Sequence, residues 1–213
     1  MSESQQLQAQ KTYHVTRNRL TSSSGKFEIQ LDGEAIYNTD ADSSSSHPAV
    51  TITRANKGGF LSAAKFDRHD DSFAISLDEA HTSQMDVVYR EGNAGTMDAY
   101  HAFNLGGIDY AWQKCLHRVY VNKPDGSTDK TMGADWKLVV LEKNKASPDN
   151  KVLAAHISLP QSWKRAPGTA NIYWFETLDD TTEAASLAAI VGIIDRVQKS
   201  SKEHRSGTSM MYS

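Results

Sequence analysis

With one cysteine, Cys115, in 213 residues, the chain cannot form an intramolecular disulfide or a zinc site of paired Cys-x-x-Cys motifs. Asn-x-Ser/Thr acceptors are missing too, so nothing marks an oxidising, secretory route. The longest largely apolar stretch, "AASLAAIVGII" (184–194), falls well short of the roughly 17 to 25 residues that span a bilayer as a helix. The opening "MSESQQLQAQK" has no apolar signal core, no Arg-rich amphipathic pattern and no acceptor glycine for acylation. No Pro/Gly-rich linker and no repeat of 20 to 50 residues divides the chain. Excess charge is lacking as well: the net value is −3, which argues against bulk capture by nucleic acid or an anionic membrane but leaves room for a local basic patch. These absences point to a cytoplasmic chain with one barrel-sized core, peripheral at a membrane if such a patch meets lipid.

What is present is short period-2 segments separated by turn residues. "YHVTRNRL", "KFEIQL", "EAIYNT", "AVTITRA", "FLSAAKF", "SFAISL", "MDVVYR", "YHAFNL", "DYAWQKCLHRVYV", "WKLVVLE", "KVLAAHISL" and "NIYWFETL" read as about twelve strands. Asp32-Gly33 between the second and third predicts a type I′ hairpin, whose two central residues must tolerate positive φ. Residues 40–48, 122–135 and 144–150 read as polar loops.

One strong helix follows, over residues 181–199. Asp180 is the expected N-cap, with Glu183 completing a capping box, and Arg196, Lys199 and Lys202 place positive charge at the macrodipole's negative end. At 100° per residue, Ala184, Leu187, Ala188, Ile190, Val191, Ile193, Ile194 and Val197 leave no side polar, so the helix must be surrounded. A helix is about 10 to 12 Å across with its side chains, too thick for a filled eight-strand barrel but suited to one of about twelve strands. The expected fold is therefore mainly β: a roughly twelve-stranded antiparallel closed barrel over residues 12–200 enclosing the helix, with a disordered leader (1–11) and a flexible tail (201–213). Gly192 is expected where a strand side chain crowds the helix, since glycine otherwise costs about 1 kcal/mol there.

Strands followed by an apolar last helix resemble the tubby C-terminal-like superfamily, which includes LURP-one-related proteins, phospholipid scramblases and fungal tubby-like proteins. The likeness runs from about Tyr13 to Lys199 through "GKFEIQLDGEAIYNTD", "GGFLSAAKF", "YAWQKC", "KVLAAHIS" and "GTANIYWFE". It implies the strand order and an association with phospholipid or phosphoinositide headgroups. The family's basic ligand positions do not map onto this chain, and a scramblase-type cysteine cluster and proline-rich leader are missing.

Few residues carry an obvious chemistry. "FDRHDDSF" (66–73) groups Asp67, His69, Asp70 and Asp71, with Asp78, Glu79 and His81 on the next turn. Their spacing matches neither an EF-hand nor HExxH, and they read first as solvated turns with no metal. Cys115 and His117 share a strand face without an orienting third group, so no catalytic pair is assigned. Gly58-Gly59 and Gly106-Gly107 read as turns. "PQSWKRAPG" (160–168) sets Trp163 beside Lys164 and Arg165, a mix suited to a membrane interface, where each cation near an anionic surface contributes about 1 kcal/mol. On "DYAWQKCLHRVYV", Tyr110, Trp112, Lys114, Leu116, Arg118 and Tyr120 share a mixed face expected outside the barrel.

The functional expectation is a non-enzymatic intracellular module that binds phospholipid headgroups or a protein partner. Its candidate ligand residues are Trp163, Lys164, Arg165, Lys114 and Arg118. The alternative is a small-molecule binder or enzyme using the barrel mouth or the acidic turn 67–71. No cofactor and no nucleic-acid partner is expected.

Overall fold

The computed structural model describes residues 6–17, 26–42, 49–66, 72–91, 99–115, 120–123, 126–130, 136–142, 147, 150–158 and 170–208. In chain order the strands are β1 (Gln6–Gln8), β2 (Lys11–Arg17), β3 (Phe27–Leu31), β4 (Glu34–Asp42) and β5 (Ala49–Arg54). Then come β6 (Phe60–Phe66), β7 (Phe73–Ser76), β8 (Gln84–Arg90), β9 (Tyr100–Leu105) and β10 (Ile108–Lys114). The last are β11 (Tyr120–Asn122), β12 (Thr128–Lys130), β13 (Trp136–Val140), β14 (Val152–Ser158) and β15 (Ala170–Trp174), before helix α1 (Asp180–Thr208).

Twelve of these strands close into an antiparallel barrel that runs β2 to β10 in sequence, continues through β13, β14 and β15, and shuts where β15 pairs with β2. Hairpin chemistry fixes much of the register. Asp32 and Gly33 take φ of 52° and 84°, the two positive values that a type I′ turn demands, and Gly106 and Gly107 do the same between β9 and β10. Alternation then sends one side chain in two inward: Phe27 and Ile29, Val50 and Ile52, Phe73 and Ile75 are buried, whereas Glu28 and Gln30 lie between them on the outer face. Apolar inside and polar outside is the reverse of a lipid-facing barrel.

The inward side chains meet α1, whose residues 184–191 and Ile193 are all buried. Two strands hold it by hydrogen bonds: Ser62 Oγ on β6 donates to the Ala184 carbonyl at 3.2 Å, and Trp112 Nε1 on β10 donates to the Ser186 carbonyl at 3.0 Å. A Cβ on Gly192 would stand 3.1 Å from a Phe73 ring carbon and 3.2 Å from the Ala64 methyl, the close approach that glycine permits. No helix among the described residues is long and apolar enough to cross a membrane.

Four details differ from the sequence reading. The Tyr110/Trp112 face of β10 points inward: Trp112 is fully buried against the helix, because its indole supplies both bulk and a donor for a helix carbonyl. The long segment 109–121 breaks, and its end becomes β11. That strand joins β1, inside the expected leader, in a parallel pair, and β12, inside an expected loop, in an antiparallel one. This small sheet accompanies a second apolar cluster, in which Ala9 and Val121 join Ala111, Val139, Ala155 and Tyr173. The N-cap is Asp179 rather than Asp180. Its Oδ1 accepts from the Thr181 and Thr182 amides, both at 3.0 Å, and its Oδ2 accepts from the Thr182 hydroxyl at 2.6 Å. Glu183 is thereby released from capping, and α1 continues to Thr208, beyond the expected end at 199.

Candidate functional site

Three places concentrate polar groups among the described residues. The first is the barrel mouth at the start of α1, where Glu183 turns away from its own helix toward β2. Lys11 Nζ donates to Glu183 Oε2 at 2.6 Å, and the Tyr13 hydroxyl donates to Oε1. Lys11 also lies over the Tyr13 ring, 4.8 Å from its centroid, and 5.6 Å from that of Trp174. Burial pushes the Tyr13 phenol far above its ordinary value, and the Glu183 carboxylate it faces pushes it further. Tyr37, edge-on to Tyr13, is raised by burial and by the charge of Glu183. Glu183 is engaged through both carboxylate oxygens, so the arrangement fastens helix to wall.

The second is the turn after β7. Asp78 Oδ1 accepts from the Thr82 amide and Oδ2 from the Ser83 amide, each at 2.8 Å, and these bonds hold its carboxyl below the usual carboxylate range. His81 takes φ of 55° and packs edge-on against Phe60. The carboxylate organises a loop, and no metal-binding group of His, Cys, Asp and Glu occurs among the described residues. Asp67, His69, Asp70 and Asp71 lie outside the described residues.

The third place is the outer face of β8, β9 and β10. There the register sets out a grid: Arg90 opposite Tyr100, which is opposite Gln113, and Val88 opposite Ala102, which is opposite Ala111. Asn104 lies opposite Asp109, and its Nδ2 donates to Asp109 Oδ1 at 2.7 Å. Asp86, two residues before Val88, extends that row onto β8. Small residues in the middle leave a trough between taller polar rows. It forms an open cleft of about 250 Å3, with Asp86, Val88, Arg90, Tyr100, Asn104 and Asp109 among its walls. Val88 is 38% exposed on its floor.

Of the five residues expected to bind ligand, the structure places one. Lys114 is exposed at the end of β10, its amide donating to the Ala99 carbonyl at 2.9 Å. Arg118, Trp163, Lys164 and Arg165 lie outside the described residues, as does His117. Cys115 is half-buried against the second apolar cluster. Alternation in "QMDVVYR" and "YHAFNL" already put Asp86, Val88, Arg90, Tyr100, Ala102 and Asn104 on one face. Which outer face the small sheet covers depends on β1 pairing with a strand 114 residues away in sequence, as Gln6 to Tyr120, and no local signal carries that.

No family model matches the chain, and neither a curated protein nor a solved structure matches it significantly.

Proposed function

We propose that this protein is a non-enzymatic binding module of the tubby C-terminal-like kind, working from the outside of its barrel on a protein partner. The observation that carries the reading is the plug: Leu187, Ile190 and Ile193 of α1 occupy the barrel axis at 0–1% exposure, the place where open barrels of this size hold ligands. The outer cleft of β8–β10 is then the concave surface with charged groups at its rim. Its volume lies below the roughly 300 to 1,000 Å3 of pockets that engulf free small molecules, and suits one or two side chains of a larger partner. Kinship with the superfamily rests on the twelve-strand closure around a C-terminal helix.

The test sets a photoreactive p-benzoylphenylalanine at position 88, within the cleft, or at position 28, on the outer face of β3, in the full chain expressed in its own cells. A discrete protein adduct from position 88 alone, lost when either Asp86→Lys or Arg90→Glu is added singly, is the expected result. Equal adducts from both positions, or none, would overturn the reading.

Binding of phospholipid headgroups is the second reading. It is favoured by Lys114, exposed at the end of β10, and it also draws on Arg118, Trp163, Lys164 and Arg165. Cosedimentation with phosphoinositide vesicles across a salt series decides it. Surface binding of this kind weakens as the Debye length shrinks from about 30 Å at 0.01 M salt to about 10 Å at 0.1 M. No binding at low salt would remove it.

A further inference from the structure

We propose that the β8–β10 cleft recognises an extended peptide segment with a basic and an acidic side chain four residues apart and a small apolar side chain midway. The proposal rests on the exterior-binding reading above and specifies its partner's chemistry.

Ion pairs among the described residues join Lys11 to Glu183, Lys26 to Asp40 at 3.1 Å, and Lys151 to Glu176 at 2.9 Å. Asp86 and Arg90 have no ion pair among the described residues, and Asp109 spends one oxygen on Asn104. Asp86 and Arg90 cannot satisfy each other, because four residues of strand separate their Cα atoms by about 13 Å. That distance also exceeds the screening length of about 10 Å at 0.1 M salt. The face is thus polarised lengthwise, with carboxylates at one end, a guanidinium at the other, and Val88 and Ala102 between.

An extended chain laid along β8 has the same period as the face beneath it. Its residues i, i+2 and i+4 point down together, over the Asp86–Asp109 row, the Val88–Ala102 row and Arg90 in turn. A free zwitterion small enough for the cleft does not reach both ends. A uniformly basic or acidic segment meets a like charge at one end, and that is the specificity. Either chain direction satisfies the spacing, so the recognised feature is the pair of opposite charges and not their order.

The test is amide NMR on the 15N-labelled full chain, titrated with three capped peptides: Lys-Ala-Val-Ala-Glu, Lys-Ala-Val-Ala-Lys and Glu-Ala-Val-Ala-Glu. Shifts confined to residues 84–90, 100–105 and 108–111 are expected. The mixed-charge peptide should bind about tenfold tighter than either like-charged one, the equivalent of one charge-assisted hydrogen bond. Arg90→Glu, at an exposed position, should reverse the order in favour of the Lys-Lys peptide, and Asp86→Lys in favour of the Glu-Glu peptide. Equal binding of all three, shifts elsewhere on the barrel, or no reversal in the variants would overturn the peptide proposal. Position-88 adducts that persist alongside such a failure would leave the exterior-binding reading intact, whereas loss of the adducts as well would remove both.

Discussion

Glu183 is the residue on which the barrel mouth turns. It sits 8% exposed, within hydrogen-bonding reach of Lys11 and Tyr13, so removing either partner leaves a carboxylate short of a bond in a place that water reaches poorly. The phenols respond to pH in a definite direction. Tyr13 and Tyr37 are raised above their unfolded values, so the stability they contribute is complete below about pH 10 and is lost as pH climbs above it. Tyrosine ionisation followed by absorbance at 295 nm should therefore reach completion only together with unfolding; ionisation of all eight tyrosines in the folded protein would contradict this. The acid side belongs to Asp179. Hydrogen bonds from the Thr182 hydroxyl and from the Thr182 and Thr181 amides lower its pKa, so its contribution is present above the unfolded carboxylate range near pH 4 and disappears as pH falls through the folded value. Asp179→Ala should cost about 1 kcal/mol in urea denaturation at pH 7, and the gap to the parent should narrow below pH 4. Asp180→Ala, at the position the sequence suggested for the cap, should change stability by less.

Among the elements, α1 and β10 set the limits of sequence reading. The helix was legible because an apolar run with no polar side admits one kind of environment, and Gly192 inside it marked the closest approach of β6 and β7. Ile190→Asp should abolish soluble expression, since an unpaired carboxylate would lie at the barrel axis. Ile194→Asp, at a half-buried position, should fold with reduced stability; equal loss from both would contradict this difference in burial. Gly192→Ala sets a helix-propensity gain of about 1 kcal/mol against overpacking of about 1 to 3 kcal/mol on Phe73, Phe66 and the immovable Ala64 methyl. The net effect should be destabilising in thermal melts. On β10 the sequence misled, because a strand covered on both faces shows no clean alternation. Trp112 lies against the helix while Ala111 and Gln113 are buried on the opposite face, so polarity alone assigned the inside to the wrong side. The candidate site was legible only as strand faces, because the register across three strands that makes Asp86, Val88 and Arg90 into one wall of a cleft is tertiary information.

At the scale of the whole molecule, one apolar cluster runs from Tyr13 to Ile193 and draws on every strand of the barrel, so all twelve strands share the core around the helix. Trp112 and Trp174 lie in that cluster, and their fluorescence reports whether the plug is in place. Fluorescence and far-ultraviolet circular dichroism should lose their native signals at one urea concentration. A fluorescence change that precedes the loss of strand signal would reveal a barrel that survives without its helix. Closure has the longest reach in the fold, since Tyr13 on β2 pairs with Ile172 on β15. The same β2 holds Glu183 through Lys11 and Tyr13. A helix that is apolar on all sides does not thread into a finished cylinder, so the seam and the plug must come together in one event. During synthesis on a ribosome, the strands made first must therefore wait, with an open edge and a bare inner surface, until residues 180–195 have emerged. That interval, more than the finished barrel, is when this chain's apolar surface and strand edges are open to aggregation.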